Sequence, residues 1–96
     1  MRGVTNGAPH ALLLYVYVED ILERRAPYRD EHLALINAWK EDGRLLMAGP
    51  LGDPPTGAAF VFQVNELAEV EEFAAADPYL AAGLVSSNSL ERWKLV

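Results

Sequence analysis

Hydrophobic residues recur along the chain in two patterns, one typical of strands and one typical of helices. Residues 11–18 are apolar at successive positions and rich in β-branched and aromatic side chains, which indicates a strand covered on both faces. Residues 58–64 alternate, with aromatic side chains on one face, and residues 44–48 and 84–96 are also strand-like. We therefore expect four strands.

Two other segments show the helical repeat. The first spans residues 27–43, from a proline that suits a first turn to a terminating glycine. Its apolar stripe consists of Tyr28, His32, Leu35, Ile36 and Trp39. The second helix is predicted to start at Asn65 as N-cap and to stop at Asp77, because a residue before proline is pushed out of the helical region. Residues 79–82 can add one turn.

Three segments show neither repeat. Residues 1–10 are predicted to form a loose lead-in, and residues 20–26 a polar connection. Residues 49–57 hold three glycines and three prolines, which predicts a sharply bent loop within the domain that spans residues 11–96.

The predicted order is βαββαβ, and the short connections favour an antiparallel four-stranded sheet with both helices on one face. This is an α+β, ferredoxin-like architecture. Two helices cover only one face of such a sheet, whereas the first strand is apolar on both sides. We therefore expect a second copy to cover the other face and close a dimeric α+β barrel.

Composition and charge narrow the function further. The chain has 96 residues, 51% of them hydrophobic, which predicts one globular domain. A net charge of −6 opposes binding to nucleic acid or anionic membranes. The absence of cysteine excludes disulfides and thiolate zinc sites and fits a cytoplasmic location. The longest apolar run is far below the roughly 20 residues of a membrane span, and we expect neither signal peptide nor anchor.

Several chemistries lack the residues they need. The sequence contains no glycine-rich nucleotide motif and no nucleophile elbow around Ser86, Ser87 or Ser89. Paired histidines at metal-ligand spacing are also missing, so we expect no metal site and no cofactor.

His32 is the ionisable residue within an apolar helical stripe, and imidazole suits proton transfer near neutral pH. The structural alternative is a core histidine whose nitrogens are satisfied. Asp77 could orient that imidazole, or it could serve only as the N-cap of the turn that starts at Pro78.

Cationic and aromatic residues near these two could bind a substrate. Arg29 lies one turn before His32 and could bind an anionic group, although a solvated charge run with Arg24 and Arg25 explains it equally well. Tyr79 follows Asp77 closely and could border the same site, or it could simply be a packing residue.

Three sequence blocks resemble the YciI-like (YCII-related) proteins of the dimeric α+β barrel superfamily. They are RDEHLAL at residues 29–35, EDGRLLMAGPLGD at residues 41–53 and AAADPYLAAGLV at residues 74–85, in the family's order and spacing. The resemblance covers the chain from about residue 12 onward. It implies a ferredoxin-like fold, a homodimer, and a His–Asp pair in a cleft between helices and sheet.

By this resemblance the pair corresponds to His32 and Asp77, the preceding arginine to Arg29, and the turn beside the cleft to Ala48, Gly49 and Pro50. His32 would be the general acid or base and Asp77 would fix its tautomer. The arginine would hold an anionic oxygen, and the Gly49 N–H would stabilise developing charge.

These roles predict a cofactor-independent lyase or isomerase that abstracts a proton from a small anionic or aromatic metabolite. Superfamily relatives that act on lactones and halogenated phenols resemble this chemistry. Two alternatives stay open: a non-catalytic module that binds a small ligand, and a haem-binding barrel with a helix histidine as axial ligand. The acid–base hypothesis requires contact between His32 and Asp77 beside an open cavity.

Overall fold

In the computed structural model, which describes residues 9–96, four strands pair into one antiparallel sheet. The strands are β1 (His10–Tyr17), β2 (Leu45–Leu51), β3 (Gly57–Gln63) and β4 (Val85–Trp93). Their order across the sheet is β2-β3-β1-β4, so β1 and β3 are central and β2 and β4 are the edges. The predicted ferredoxin-like fold is confirmed.

Two long helices and two single turns complete the chain. The helices are α1 (Ile21–Arg24), α2 (Ala26–Asp42), α3 (Leu67–Ala76) and α4 (Pro78–Ala81). The turn α1 lies in the segment predicted as a polar connection. Its one buried side chain, Ile21, packs with Tyr79 and Leu84, and this distant contact gave no periodic pattern in the sequence.

The core lies between the sheet and the helices α2 and α3. Alternate residues of β1, among them Leu13 and Tyr15, face the helices together with Phe60 and Phe62 of β3. Phe73 of α3 packs edge-on against both phenylalanines, with ring centroids 5.4 and 5.1 Å apart. This aromatic cluster fixes the distance between helices and sheet and therefore the cleft described below.

Some boundaries differ from the predicted ones. β1 begins at His10, one residue early, and residues 1–8 of the predicted lead-in lie outside the described residues. β2 continues to Leu51, so Gly49 and Pro50 belong to a strand and not to the predicted loop. An edge strand tolerates proline, because one of its sides has no neighbouring strand and a missing N–H there costs no hydrogen bond.

The start of α3 also differs. Its N-cap is Glu66 and not Asn65, and the backbone N–H of Glu66 donates to the Glu69 carboxylate at 3.3 Å. This reciprocal capping favours the later start. Within residues 9–96, the longest helices are too short or too polar to cross a bilayer.

Gly57 provides a test of the close approach between β3 and β1. A Cβ atom at this position would lie 2.2 Å from the carbonyl oxygen of Tyr15, which the sheet cannot accommodate without moving a strand. We expect Gly57→Ala to lower the free energy of unfolding by about 3 kcal/mol in a urea titration. Gly49→Ala is the matched control, because a Cβ there meets nothing within 4 Å. Equal stability of the two variants would contradict this packing.

Candidate active site

Asp77 lies at the junction of α3 and α4, where its extended backbone ends one helix and caps the next. Pro78 enforces this break, since the residue before proline avoids the helical region. The side chain is completely buried, with 0% exposed surface. A buried carboxylate needs hydrogen-bond donors, so its partners define the centre of the site.

Three donors converge on this carboxylate. His32 Nδ1–H donates to Asp77 Oδ1 at 2.8 Å, and the backbone N–H of Tyr79 donates to the same oxygen at 3.0 Å. The hydroxyl of Tyr15 donates to Oδ2 at 2.8 Å. The two roles weighed for Asp77 therefore coexist, because it both caps α4 and contacts the imidazole.

The contact with Asp77 assigns the proton on the imidazole of His32. An ionised carboxylate can only accept, so Nδ1 carries a hydrogen, and in the neutral imidazole the lone pair is on Nε2. The residue is only 5% exposed, yet Nε2 has no hydrogen-bond partner among the described residues. The ring also borders a cleft, which makes Nε2 the nitrogen available to a bound molecule.

Tyr15 holds the second carboxylate oxygen from the central strand β1. Burial raises the pKa of its hydroxyl well above the usual 10, and the charge of Asp77 and the hydrogen bond to it act in the same direction. The hydroxyl is therefore a permanent donor at neutral pH. The sequence gives no local signal for this role of Tyr15, because its contact with Asp77 spans 62 residues.

Tyr79 packs face to face on the imidazole of His32, with ring centroids 3.7 Å apart and planes within 3° of parallel. Its own hydroxyl is buried and has no partner among the described residues. Tyr17 packs edge-on against it at 6.1 Å. Burial raises the pKa of Tyr17 to about 12, with smaller contributions from Tyr79 and Asp77.

The cleft beside His32 has a volume of about 530 Å³ and lies between α2 and strands β2 and β3. Of the residues predicted for the site, it is lined by Arg29, His32, Gly49, Pro50 and Tyr79. Asp77 lies behind the imidazole and does not line the cleft. The acid–base hypothesis required contact of the pair and an open cavity, and the geometry contains both.

The sequence did not assign Lys40 to the site and placed Arg25 only in a charge run, yet both line the cleft, as does Tyr17. Arg25, the N-cap of α2, lies four residues before Arg29, and Lys40 lies eleven residues after it, on the same side of the helix. The helical repeat alone places Lys40 on the face of Arg29, but only the packing of α2 on the sheet shows that this face lines a cleft. Arg24 instead pairs with Asp20 at 3.6 Å and does not line the cleft.

A metal site would need several His, Asp or Glu side chains close together. Within the described part of the chain, no group of three or more His, Asp or Glu side chains is close enough to share a metal ion.

Comparison with known proteins gives a consistent family match. The profile of the YCII-related domain matches residues 10–94. Protein YciI of Escherichia coli is 34% identical over 97 aligned positions, which cover 88% of this chain and 99% of that protein. An uncharacterised Bacillus subtilis protein, YjpA, is 33% identical and covers 85% of this chain and 98% of its own length.

A solved structure supports the fold over nearly the whole chain. It is the 5-chloro-2-hydroxyhydroquinone dehydrochlorinase of Burkholderia phenoliruptrix in complex with 2,5-dihydroxybenzoquinone, with a TM-score of 0.78. It is 25% identical, and the match covers 91% of this chain and 95% of that one.

Alkaline unfolding tests the environment of Tyr15. Its hydroxyl stays protonated in the folded protein but ionises near pH 10 in the unfolded chain, so the free energy of unfolding falls as pH rises above 10. We expect Tyr15→Phe to lose about 1–2 kcal/mol at pH 7, because Asp77 loses a donor, and to show a shallower decline above pH 10. Urea titrations from pH 7 to 11 measure both. An equally steep decline in the variant would contradict the assignment.

Proposed function

This chain belongs to the YCII-related domain family, and from the geometry around His32 we propose that it is a cofactor-independent enzyme that transfers a proton during elimination or isomerisation. The observation that carries the proposal is the hydrogen bond from His32 Nδ1 to the buried Asp77 beside an open cleft. A cytoplasmic location fits the absence of cysteine.

The chemical step follows from the state of the imidazole. Nε2 of His32 accepts a proton from an acidic C–H or O–H group of the substrate, and Asp77 stabilises the resulting imidazolium. The electron pair released forms an enolate or a new double bond. In an elimination the leaving group departs with the electrons of its own bond, and in an isomerisation the imidazolium returns the proton to another carbon.

The lining of the cleft supports a small aromatic or anionic substrate. Arg29 could hold a phenolate or carboxylate oxygen beside His32, and Gly49 and Pro50 form the opposite wall. The N–H of Gly49 is a further candidate donor to developing negative charge. Structural similarity to a dehydrochlorinase of a chlorinated hydroquinone supports lyase chemistry on a substituted ring.

A homodimer is the second part of the proposal. The sheet face opposite the helices carries Leu12, Leu14 and Val16 of β1, and next to them the cross-strand neighbours Val61 and Met47. Val16 and Met47 are 51% and 62% exposed. A contiguous apolar sheet face of this kind favours cover by another protein surface, and a second copy would close the barrel.

A chloride-release assay tests the proposed chemistry. With 5-chloro-2-hydroxyhydroquinone as the probe, we expect the wild-type protein to release chloride faster than buffer at pH 7.5. His32→Asn should lower the rate at least 1,000-fold, because the proton acceptor is lost, and Asp77→Asn should lower it about 10- to 1,000-fold. Chloride measurement under argon, which limits oxidation of the probe, provides the readout.

Arg24→Gln is the matched control for this assay, because Arg24 lies on the neighbouring turn outside the cleft. It should keep the wild-type rate, whereas Arg29→Gln should lose activity mainly through a higher KM. A rate that survives His32→Asn would contradict the proposal. Probe binding without any turnover would favour the alternative of a non-catalytic binding module.

The dimer has a separate test. Met47→Asp places a charge on the exposed sheet face, where desolvating it in an interface is costly. We expect this variant to be monomeric at concentrations where the wild-type protein is dimeric by light scattering. Leu22→Asp is the control, because Leu22 is 48% exposed on α1 and does not belong to the sheet. A monomeric wild-type protein would overturn the proposed assembly.

A further inference from the structure

One face of α2, together with Arg25 directly before the helix, lines the cleft. The lining residues of this face recur three or four positions apart, as expected for a single helical stripe. They are Arg25, Arg29, His32, Leu33, Ile36, Asn37 and Lys40. From its N-terminal to its C-terminal end, this stripe carries two arginines, the imidazole of His32, two apolar side chains, the amide of Asn37 and the ammonium group of Lys40.

The cations of this stripe have no ion-pair partner among the described residues. Elsewhere in the described chain, Arg24 pairs with Asp20 at 3.6 Å and Arg44 pairs with Asp42 at 2.6 Å. Arg25, Arg29 and Lys40 form no such pair, although the protein has 14 carboxylates and a net charge of −6. Positive charge is therefore left uncompensated inside one concave surface.

Only one acidic residue faces these cations in the cleft. Among the described lining residues, Asp53 is the sole carboxylate against three cations. Arg29 and Lys40 are exposed side chains, so water and salt weaken the attraction of each for an anion, and a ligand that contacts both gains most. The cleft is thus electrostatically complementary to a ligand with more than one negative charge.

The two cationic ends are well separated. Lys40 lies eleven positions after Arg29, which places their Cα atoms about 16 Å apart along the helix axis. Both side chains are long and can lean inward, so they can hold groups closer than this. His32 lies one turn from Arg29 and about two turns from Lys40, so the reacting atom belongs near the Arg29 end.

The middle of the cleft is apolar. Leu33 and Ile36 of α2 face Ala58 and Phe60 of β3 and Ala48 of β2 across it. These side chains suit an unsaturated or aromatic body and offer no partner for a polar one. A volume of about 530 Å³ also exceeds the needs of one small ring, which leaves room for a ligand with two arms.

We propose that the cleft takes an elongated dianion, with one acidic group beside Arg29 and His32, an unsaturated body on Ile36, and a second acidic group at Lys40. This inference rests on the proposed function, since it takes the cleft at His32 as the substrate site. Arg29 then positions the reacting end. Lys40 is a specificity residue that anchors the distant end and contributes to KM rather than to kcat.

A pair of matched probes tests the length and charge of the ligand. The probes are 4-carboxycinnamate, a rigid dianion, and 4-methylcinnamate, in which a methyl group replaces the distant carboxylate. Their dissociation constants are measured by NMR titration of the 15N-labelled protein at pH 7.5 and low salt. We expect the dianion to bind about tenfold more tightly than the monoanion, with a preference that shrinks at 0.5 M salt.

Two variants test which cation contacts each end of the ligand. Lys40→Gln should make the two probes bind about equally, because it weakens the dianion and leaves the affinity for 4-methylcinnamate unchanged. Arg29→Gln should weaken both probes, because each keeps the carboxylate that it binds. Arg24→Gln, outside the cleft, should change neither affinity. Equal affinities of the two probes for the wild-type protein, or no binding of either at 10 mM, would overturn the proposal.

The His32→Asn variant separates this proposal from the catalytic one. It removes the proton acceptor but none of the three cations, so it should keep the dianion preference while abolishing turnover. If the wild-type protein prefers the dianion but never releases chloride, the dianion site is supported and the catalytic role is not. A preference unaffected by Lys40→Gln would overturn the dianion site even in an active enzyme.

Discussion

The buried carboxylate of Asp77 is the constraint on which the site depends. It accepts hydrogen bonds from the side chain of His32 on α2, from Tyr15 on β1 and from the backbone at the start of α4. An unpaired buried charge would cost several kcal/mol, so the three elements must meet at this point whenever the protein folds. The same contacts that stabilise the fold therefore set the orientation of the imidazole.

Strand β1 connects this centre to the rest of the molecule. On one face Tyr15 supports Asp77 and joins the aromatic core, and on the other face Leu14 and Val16 lie on the open side of the sheet. The strand is central, paired to β3 and β4. A second copy against the open face would thus pack directly behind the strand that supports the site.

Patterns with a local cause were predictable from the sequence, whereas long-range contacts were not. Strand alternation, Pro27 and Gly43 predicted the strands and the first long helix, because each depends on residues close in sequence. His32 and Asp77 were predicted because weak local features agreed with a family resemblance. The roles of Tyr15 and Lys40 required the tertiary structure, since one contacts Asp77 across 62 residues and the other joins the cleft only through the packing of α2 on the sheet.

The parallel stacking of Tyr79 on His32 has a mechanical consequence. The imidazole is held along one edge by Asp77 and across one face by the phenol ring, so neither rotation about its side-chain bonds nor tilting is free. Such a ring does not swing between two positions to carry a proton. In the proposed isomerisation, the bound molecule would therefore bring both its proton-losing and its proton-gaining atoms within reach of a stationary nitrogen, and its own mobility in the cleft would limit which rearrangements are possible.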